Sequence, residues 1–122
     1  MTKKTNRQLA DYQRRYRDLA NQVANIGYIA AGSVASRYNR CGKTNCGCHA
    51  DPPRLHGPYF QWTAKVNGKT VNRRLSEREA ALYNEWIGND RQVRALLTQM
   101  REIAAKAQQL IIEQTIHGEP EV

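Results

Sequence analysis

The chain has 122 residues, of which 40% are hydrophobic, and its formal net charge is +8. This length and hydrophobic content fit a single domain, 1–122, with a small core, and the elements below predict an α+β fold. No apolar run approaches the roughly 20 residues that cross a bilayer, and no signal-type apolar segment follows the N-terminus, so we expect a soluble, cytoplasmic protein. The charge is unevenly distributed. Residues 37–74 contain eight Lys and Arg and one acid, whereas residues 75–122 contain five Lys and Arg and eight acids.

The first predicted element is a helix over residues 5–27. Thr5 and Gln8 have the spacing of a capping box, in which each side chain satisfies a backbone donor at the helix start. Apolar residues then recur at intervals of three and four, which is the seam of a coiled coil, at Leu9, Tyr12, Tyr16, Leu19, Val23 and Ile26. Gly27 is the predicted C-terminal stop.

Residues 32–75 are predicted to form a metal loop and a small antiparallel sheet. Residues 32–40 alternate in the manner of a strand that leads into Cys41. Two further strands, 59–66 and 69–75, flank Asn67-Gly68, which tolerates the positive φ angles of a two-residue hairpin turn. The hairpin register then places Ala64 opposite Val71, Trp62 opposite Arg73 and Phe60 opposite Leu75.

The loop between the first two strands concentrates metal ligands. All three cysteines and two of the three histidines lie within residues 41–56. Three thiolates and one imidazole are a tetrahedral donor set that Zn²⁺ prefers in structural sites, so we predict Zn²⁺ held by Cys41, Cys46, Cys48 and His56. His49 is the alternative fourth ligand, but it directly follows Cys48, and neighbours rarely converge on one ion. Free thiols and an iron–sulfur cluster stay open as alternatives, whereas a disulfide framework would leave one cysteine over.

A long closing helix is predicted for residues 76–115. Ser76 and Glu79 form a second capping box, and a broad apolar stripe follows. We expect this helix to pack against the first as an antiparallel, coiled-coil-like pair. Gly88-Asn89-Asp90 offers a place for a break; an unbroken helix would be about 60 Å long against about 33 Å for the first, and its overhang would then be buried in a homodimer.

The order of these motifs resembles a family of short uncharacterised bacterial proteins. The resemblance rests on Arg40-Cys41-Gly42-Lys43, then Cys46 and Cys48, then His56-Gly57-Pro58-Tyr59 and an Asn-Gly hairpin, and it covers about residues 5–115. In that family a histidine recurs before Gly-Pro-Tyr, which favours His56 over His49. The family is often found near transposases and other mobile-element genes, so the resemblance implies a fold and a genomic neighbourhood rather than a mechanism.

Two functions are compatible with these residues. The first is zinc-stabilised binding of nucleic acid, with DNA expected before RNA, through backbone contacts of low sequence specificity. Its candidate residues are the cations of the strand, the metal loop and one face of the hairpin, namely Arg37, Arg40, Lys43, Arg54, Lys65, Lys69 and Arg74. The second is a protein–protein adaptor or dimerisation module that uses the apolar stripe of the long helix. We expect no enzyme, because no carboxylate pair, nucleophile triad or phosphate-binding glycine loop is present.

Overall fold

A computed structural model describes residues 2–117 and confirms the α+β architecture. The elements follow in the order α1 (Lys3–Ala24), β1 (Ser33–Asn39), β2 (His56–Val66), β3 (Lys69–Leu75) and α2 (Glu77–His117). The three strands form one antiparallel sheet in the order β1-β2-β3. No helix within residues 2–117 combines the length and apolarity that a membrane span requires.

The chain forms two compact units. Within the described residues, the helical unit comprises 2–27 and 91–117, and the sheet unit comprises 28–90. Residues 77–90 of α2 therefore belong to the sheet unit, and residues 91–117 belong to the helical unit with α1. This division accounts for the unequal lengths of the two helices, so the expected overhang does not by itself require a second copy.

The helical unit contains the predicted antiparallel helix pair. Leu9 and Ile111 line one cleft between the helices, and Ile26 and Leu96 line another, so the start of α1 lies beside the end of α2. The prediction that Thr5 caps α1 is wrong. The cap is Thr2, whose hydroxyl accepts a hydrogen bond from the Thr5 backbone N–H at 3.1 Å.

The end of α1 also differs from the prediction. The helix ends at Ala24, and Asn25 is its C-terminal cap, so the chain leaves the helix two residues before Gly27. The backbone N–H of Asn25 donates to the carbonyls of Asn21 and Gln22 and so satisfies two acceptors of the last turn. Gly27 is therefore not needed as a stop.

The hairpin has the predicted register. Ala64 pairs with Val71, Trp62 with Arg73 and Phe60 with Leu75, and the turn residue Asn67 has a φ of 51°. Alternate residues of a strand point to opposite faces, so one face of the sheet carries Trp62 and Ala64 and the other carries Tyr59 and Gln61. We call the second of these the open face.

The first part of α2 packs on the face that carries Trp62. The Trp62 ring lies 5.0 Å from the Tyr83 ring, and its indole N–H donates to the carbonyl of Ala31 at 2.8 Å. Arg73 extends from the same face to Glu79 and to the Tyr83 hydroxyl, at 3.4 Å each. The buried apolar residues of this core are Ala64, Leu75, Ala80 and Ile87. The hydrophobic core of the sheet unit thus lies on one side of the sheet.

The Ser76–Glu79 capping box also forms as predicted. The Glu79 backbone N–H donates to the Ser76 hydroxyl at 3.1 Å, and the Ser76 N–H donates to the Glu79 carboxylate at 3.0 Å. Hydrogen bonds from the Ser76 backbone N–H and from the Ser76 hydroxyl to the carboxylate, together with the positive charge of Arg73, lower the pKa of the Glu79 carboxyl. The helix then continues without a break through Gly88, where Asn89 donates a side-chain hydrogen bond to the carbonyl of Tyr28 at 2.8 Å.

Candidate metal centre

The loop between β1 and β2 is held in shape by its own backbone hydrogen bonds. Cys46 N–H donates to the Lys43 carbonyl at 3.2 Å, which closes a tight turn. A short 3-10 helix, Gly47–His49, follows. The backbone N–H of Arg54 donates a hydrogen bond to the Gly47 carbonyl at 2.9 Å. The loop therefore doubles back, so that Cys46 and Cys48 lie near the start of β2.

Four possible ligand atoms lie close together. The sulfurs of Cys41, Cys46 and Cys48 and a ring nitrogen of His56 all lie within 4.8 Å of one another. Cys41 Sγ is 3.6 Å from Cys48 Sγ, and Cys46 Sγ is 3.1 Å from His56 Nε2. Sequence positions 41 and 56 are thus brought together by the pairing of β1 with β2, which places Asn39 opposite His56.

This geometry fits a tetrahedral ion with sulfur and nitrogen ligands. With Zn–S bonds of about 2.3 Å, two sulfurs at tetrahedral angles lie about 3.8 Å apart, and a sulfur and a nitrogen lie slightly closer. The distances of 3.6 Å and 3.1 Å in the cluster are close to these values. The four residues can therefore converge on one ion without a change of fold.

The protonation of the thiols differs within the cluster. Hydrogen bonds lower the pKa of the Cys46 thiol to about 6, chiefly the backbone N–H of Cys48 and then the thiols of Cys48 and Cys41. Burial raises the pKa of the Cys48 thiol, whose residue has no exposed surface. A metal ligand must be a thiolate, so a cation at this point would offset the cost of ionising the buried Cys48.

His49 does not belong to the cluster. Its Nε2 lies 2.6 Å from the carbonyl oxygen of Cys41 and donates a hydrogen bond to it. His49 thus fixes the backbone of one candidate ligand, and His56 supplies the imidazole of the donor set. The prediction that His56 rather than His49 is the fourth ligand agrees with this arrangement.

The candidate centre lies inside a recognised sequence family. A family model described as a domain of unknown function, DUF6788, matches residues 9–84, which is more than half of the chain. The chain belongs to the DUF6788 family. No curated protein and no solved structure shows significant similarity to it. The matched range of this DUF6788 chain contains most of α1, the sheet, all four candidate ligands and the start of α2.

We expect substitution of the two loop histidines to separate their roles. His56→Ala removes a donor of the cluster and should lower zinc affinity by at least about 10-fold. His49→Ala removes only a hydrogen bond to the Cys41 carbonyl, so zinc binding should persist near one ion per chain. Competition with a chromophoric chelator measures both affinities. Equal loss in both variants would contradict the assignment of His56 alone.

The predicted nucleic-acid residues of the DUF6788 chain divide between two surfaces. Arg37, Lys65 and Arg74 lie on the open face of the sheet, because they pair with, or alternate with, Tyr59 and Gln61. Arg40, Lys43 and Arg54 belong to the metal loop and are exposed. Lys69 pairs with Val66 and so lies on the other face. This corrects the expectation that Lys69 shares a hairpin face with Lys65 and Arg74.

Two contacts involving adjacent arginines were not predicted. The Arg74 guanidinium carbon lies 3.9 Å from the centre of the Tyr59 ring, on the open face. On the other face, Arg73 forms an ion pair with Glu79, so it is a structural residue. The hairpin register carries a signal for the first contact, because it places Gln61 opposite Arg74 and Tyr59 one diagonal step away.

Proposed function

We propose that the protein is a small nucleic-acid-binding module whose sheet and loop are held in place by a structural Zn²⁺. The ion would be bound by Cys41, Cys46, Cys48 and His56. When bound, Zn²⁺ supplies a rigid tetrahedral crosslink and no reactive position, since all four ligand places are taken by the protein. The nucleic acid would contact the open face of the sheet and the metal loop.

The donor set supports zinc over the two alternatives. The three thiols lie within 4.8 Å of one another, and ionising several of them there would be unfavourable without a cation. An iron–sulfur cluster distributes its ligands over several irons, so the ligands of different irons would lie farther apart than Cys41 and Cys48 do. Three thiolates and one imidazole at these distances suit one small, borderline-soft ion.

The observation that carries the nucleic-acid proposal is the set of exposed cations without acidic partners. None of the six exposed Lys and Arg side chains in this set forms an ion pair with any residue between 2 and 117. The set consists of Arg37, Arg40, Lys43, Arg54, Lys65 and Arg74. By contrast, Arg73 on the other face is neutralised by Glu79.

Such a set is complementary to a phosphate backbone. Asp51 is the one acid within residues 37–74, so phosphates would meet little repulsion there. Backbone contacts fix the position of a protein on nucleic acid without reading its sequence. Within the sheet unit, the helical residues 77–90 pack on the face that carries Trp62, so the open face of that unit presents strands and no helix to a groove, which favours low sequence specificity.

We test this proposal by fluorescence anisotropy with labelled DNA, and with RNA of the same sequence, over a range of salt. Affinity should fall with a log–log slope of up to about −5 if six cations contact phosphates of a duplex. Arg54→Gln should reduce the slope by about 1. Arg101→Gln removes the same charge from the exposed surface of α2 in the helical unit and should leave the slope unchanged. Absence of binding at about 50 mM salt, or binding that does not respond to salt, would overturn the proposal.

A second candidate function is self-association through the helical unit. Within residues 2–27 and 91–117, Leu19 and Ile103 are the buried apolar residues, so the pair of helices has a thin core. Tyr16 and Ile111 are 40% and 50% exposed and border the cleft that contains Leu9, and the next residue, Ile112, is 52% exposed. A second copy of the chain would cover this surface with an identical one. Sedimentation should then show a dimer at micromolar concentration that Ile112→Glu dissociates, whereas a strict monomer would rule this out.

A further inference from the structure

We propose that Tyr59 and Arg74 form a base-stacking site that makes the open face selective for single-stranded nucleic acid. This inference rests on the proposed function and adds the form of nucleic acid and the residues that recognise it. The two side chains already form a stack, with the guanidinium carbon 3.9 Å from the ring centre. Tyr59 lies on β2 and Arg74 lies on the paired strand β3, so the sheet holds the two side chains in place.

The stack is not explained by the stability of the core. Tyr59 and Arg74 lie on the face of the sheet opposite to the packed residues Trp62 and Leu75. Arg74 is exposed and has no carboxylate partner among residues 2–117. A cation on an aromatic ring at an exposed site contributes only about 0.5–1 kcal/mol. The pair thus leaves one side of a planar, positively charged group open to solvent.

The neighbouring side chains complete a site for one nucleotide. Arg37 on β1 pairs with Tyr59, and Gln61 on β2 pairs with Arg74. These four residues, with Asn39, border one shallow cleft on the open face. Neighbouring strands are about 4.8 Å apart, so Arg37 lies one strand away from the stack and can contact a phosphate while a base lies on Arg74. The Gln61 amide can donate to and accept from the edge of that base.

Single strands and duplexes differ in what they present to such a site. In a duplex both faces of each base are covered by its neighbours, and only the edges are accessible in the grooves. In a single strand the bases can turn outward and stack on aromatic rings or guanidinium planes. A sheet face with a central Tyr–Arg stack and a flanking cation therefore favours the single strand.

The test compares three labelled DNA probes of about 12 nucleotides: a single strand, the matching duplex and an abasic single strand of equal charge. The wild-type protein should bind the single strand about 5- to 150-fold more tightly than the abasic strand, which is the usual range for one stacked base. This comparison needs no variant. Equal affinity for the normal and abasic strands would overturn the stacking site.

Variants then locate the effect. Arg74→Lys keeps the charge but loses the planar group, so it should weaken single-strand binding and leave the salt slope and duplex binding unchanged. Tyr59→Phe keeps the ring and should bind as the wild type does. Arg73→Lys is the matched control on the other face, since the residue contacts Glu79 and Tyr83 there. Circular dichroism spectra confirm that each variant is folded.

The outcomes also separate this inference from the proposed function. Salt-dependent binding to all three probes with equal affinity, unchanged in Arg74→Lys, would leave the nucleic-acid function in place and refute the stacking site. Absence of binding to every probe at low salt would refute both. Single-strand preference that is lost in Arg74→Lys and retained in Arg73→Lys would support the site.

Discussion

Replacing Cys48 by serine is expected to abolish zinc binding and to unfold the metal loop. Cys48 is fully buried, its sulfur lies 3.6 Å from that of Cys41, and it accepts the Cys41 backbone N–H at 3.2 Å. Binding of a structural zinc supplies about 10–16 kcal/mol in small domains, and the small core of this sheet unit can offset little of that loss. We expect the melting temperature to fall by roughly 10 °C or more.

The decisive comparison uses chelator and added zinc with both proteins. Chelation should lower the melting temperature of the wild type to that of Cys48→Ser and should remove the near-ultraviolet circular dichroism signal of the Trp62–Tyr83 pair. Added zinc should restore the wild type only. If the variant and the wild type melt at the same temperature without chelator, and chelator changes neither melting temperature, the metal does not stabilise the fold.

Replacing Gly57 by alanine is expected to cause the second large loss of stability. Gly57 has a φ of +140°, a conformation that residues with a side chain rarely adopt. An added Cβ would lie 2.8 Å from the Arg37 carbonyl oxygen, which is a backbone atom of the paired strand β1. Strain and displacement together should cost about 3 kcal/mol and lower the melting temperature by roughly 10–20 °C.

Gly42 provides the matched control in the same loop. A Cβ on Gly42 would have no atom within 4 Å, so Gly42→Ala should change stability by less than about 0.5 kcal/mol. Because Gly57 directly follows His56, zinc affinity should also decrease in Gly57→Ala and stay unchanged in Gly42→Ala. Thermal melts of the two variants that coincide would show that the β1–β2 pairing tolerates a side chain at position 57.

Local rules made the hairpin and the second capping box predictable. Asn67-Gly68 determines a two-residue turn. This turn sets the register, and the register determines every cross-strand pair from Val66–Lys69 to Phe60–Leu75. Ser76 and Glu79 satisfy each other's backbone donors regardless of the rest of the chain. The same rule failed at the first helix, because Thr2 and Thr5 are both suitable caps and the apolar pattern begins only at Leu9.

The continuity of α2 depends on tertiary contacts that sequence patterns do not report. A glycine inside a helix costs about 1 kcal/mol relative to alanine, which made a break at Gly88 plausible. In the structure, burial of Ile87 and the hydrogen bond from Asn89 to the Tyr28 carbonyl hold both sides of that glycine in the helix. The division of α2 between two units is likewise a result of packing.

The donor residues of the candidate site could be read from composition, whereas their geometry could not. Three cysteines within eight residues identify a ligand cluster. The choice between His49 and His56 depends on the β1–β2 pairing and on the hydrogen bond from His49 to the Cys41 carbonyl, both of which are three-dimensional facts. The Tyr59–Arg74 stack was accessible from the hairpin register, which places Gln61 opposite Arg74 and Tyr59 one diagonal step away.

X-ray absorption at the zinc edge, on protein purified without added metal, tests the central claim most directly. We predict one zinc per chain with three sulfur ligands at about 2.3 Å and one nitrogen ligand at about 2.0 Å, and no metal–metal scattering. The spectrum of His56→Ala should lose the nitrogen contribution of the imidazole. A protein without zinc, or a spectrum with only nitrogen and oxygen ligands, would contradict the proposal that Cys41, Cys46, Cys48 and His56 hold the ion.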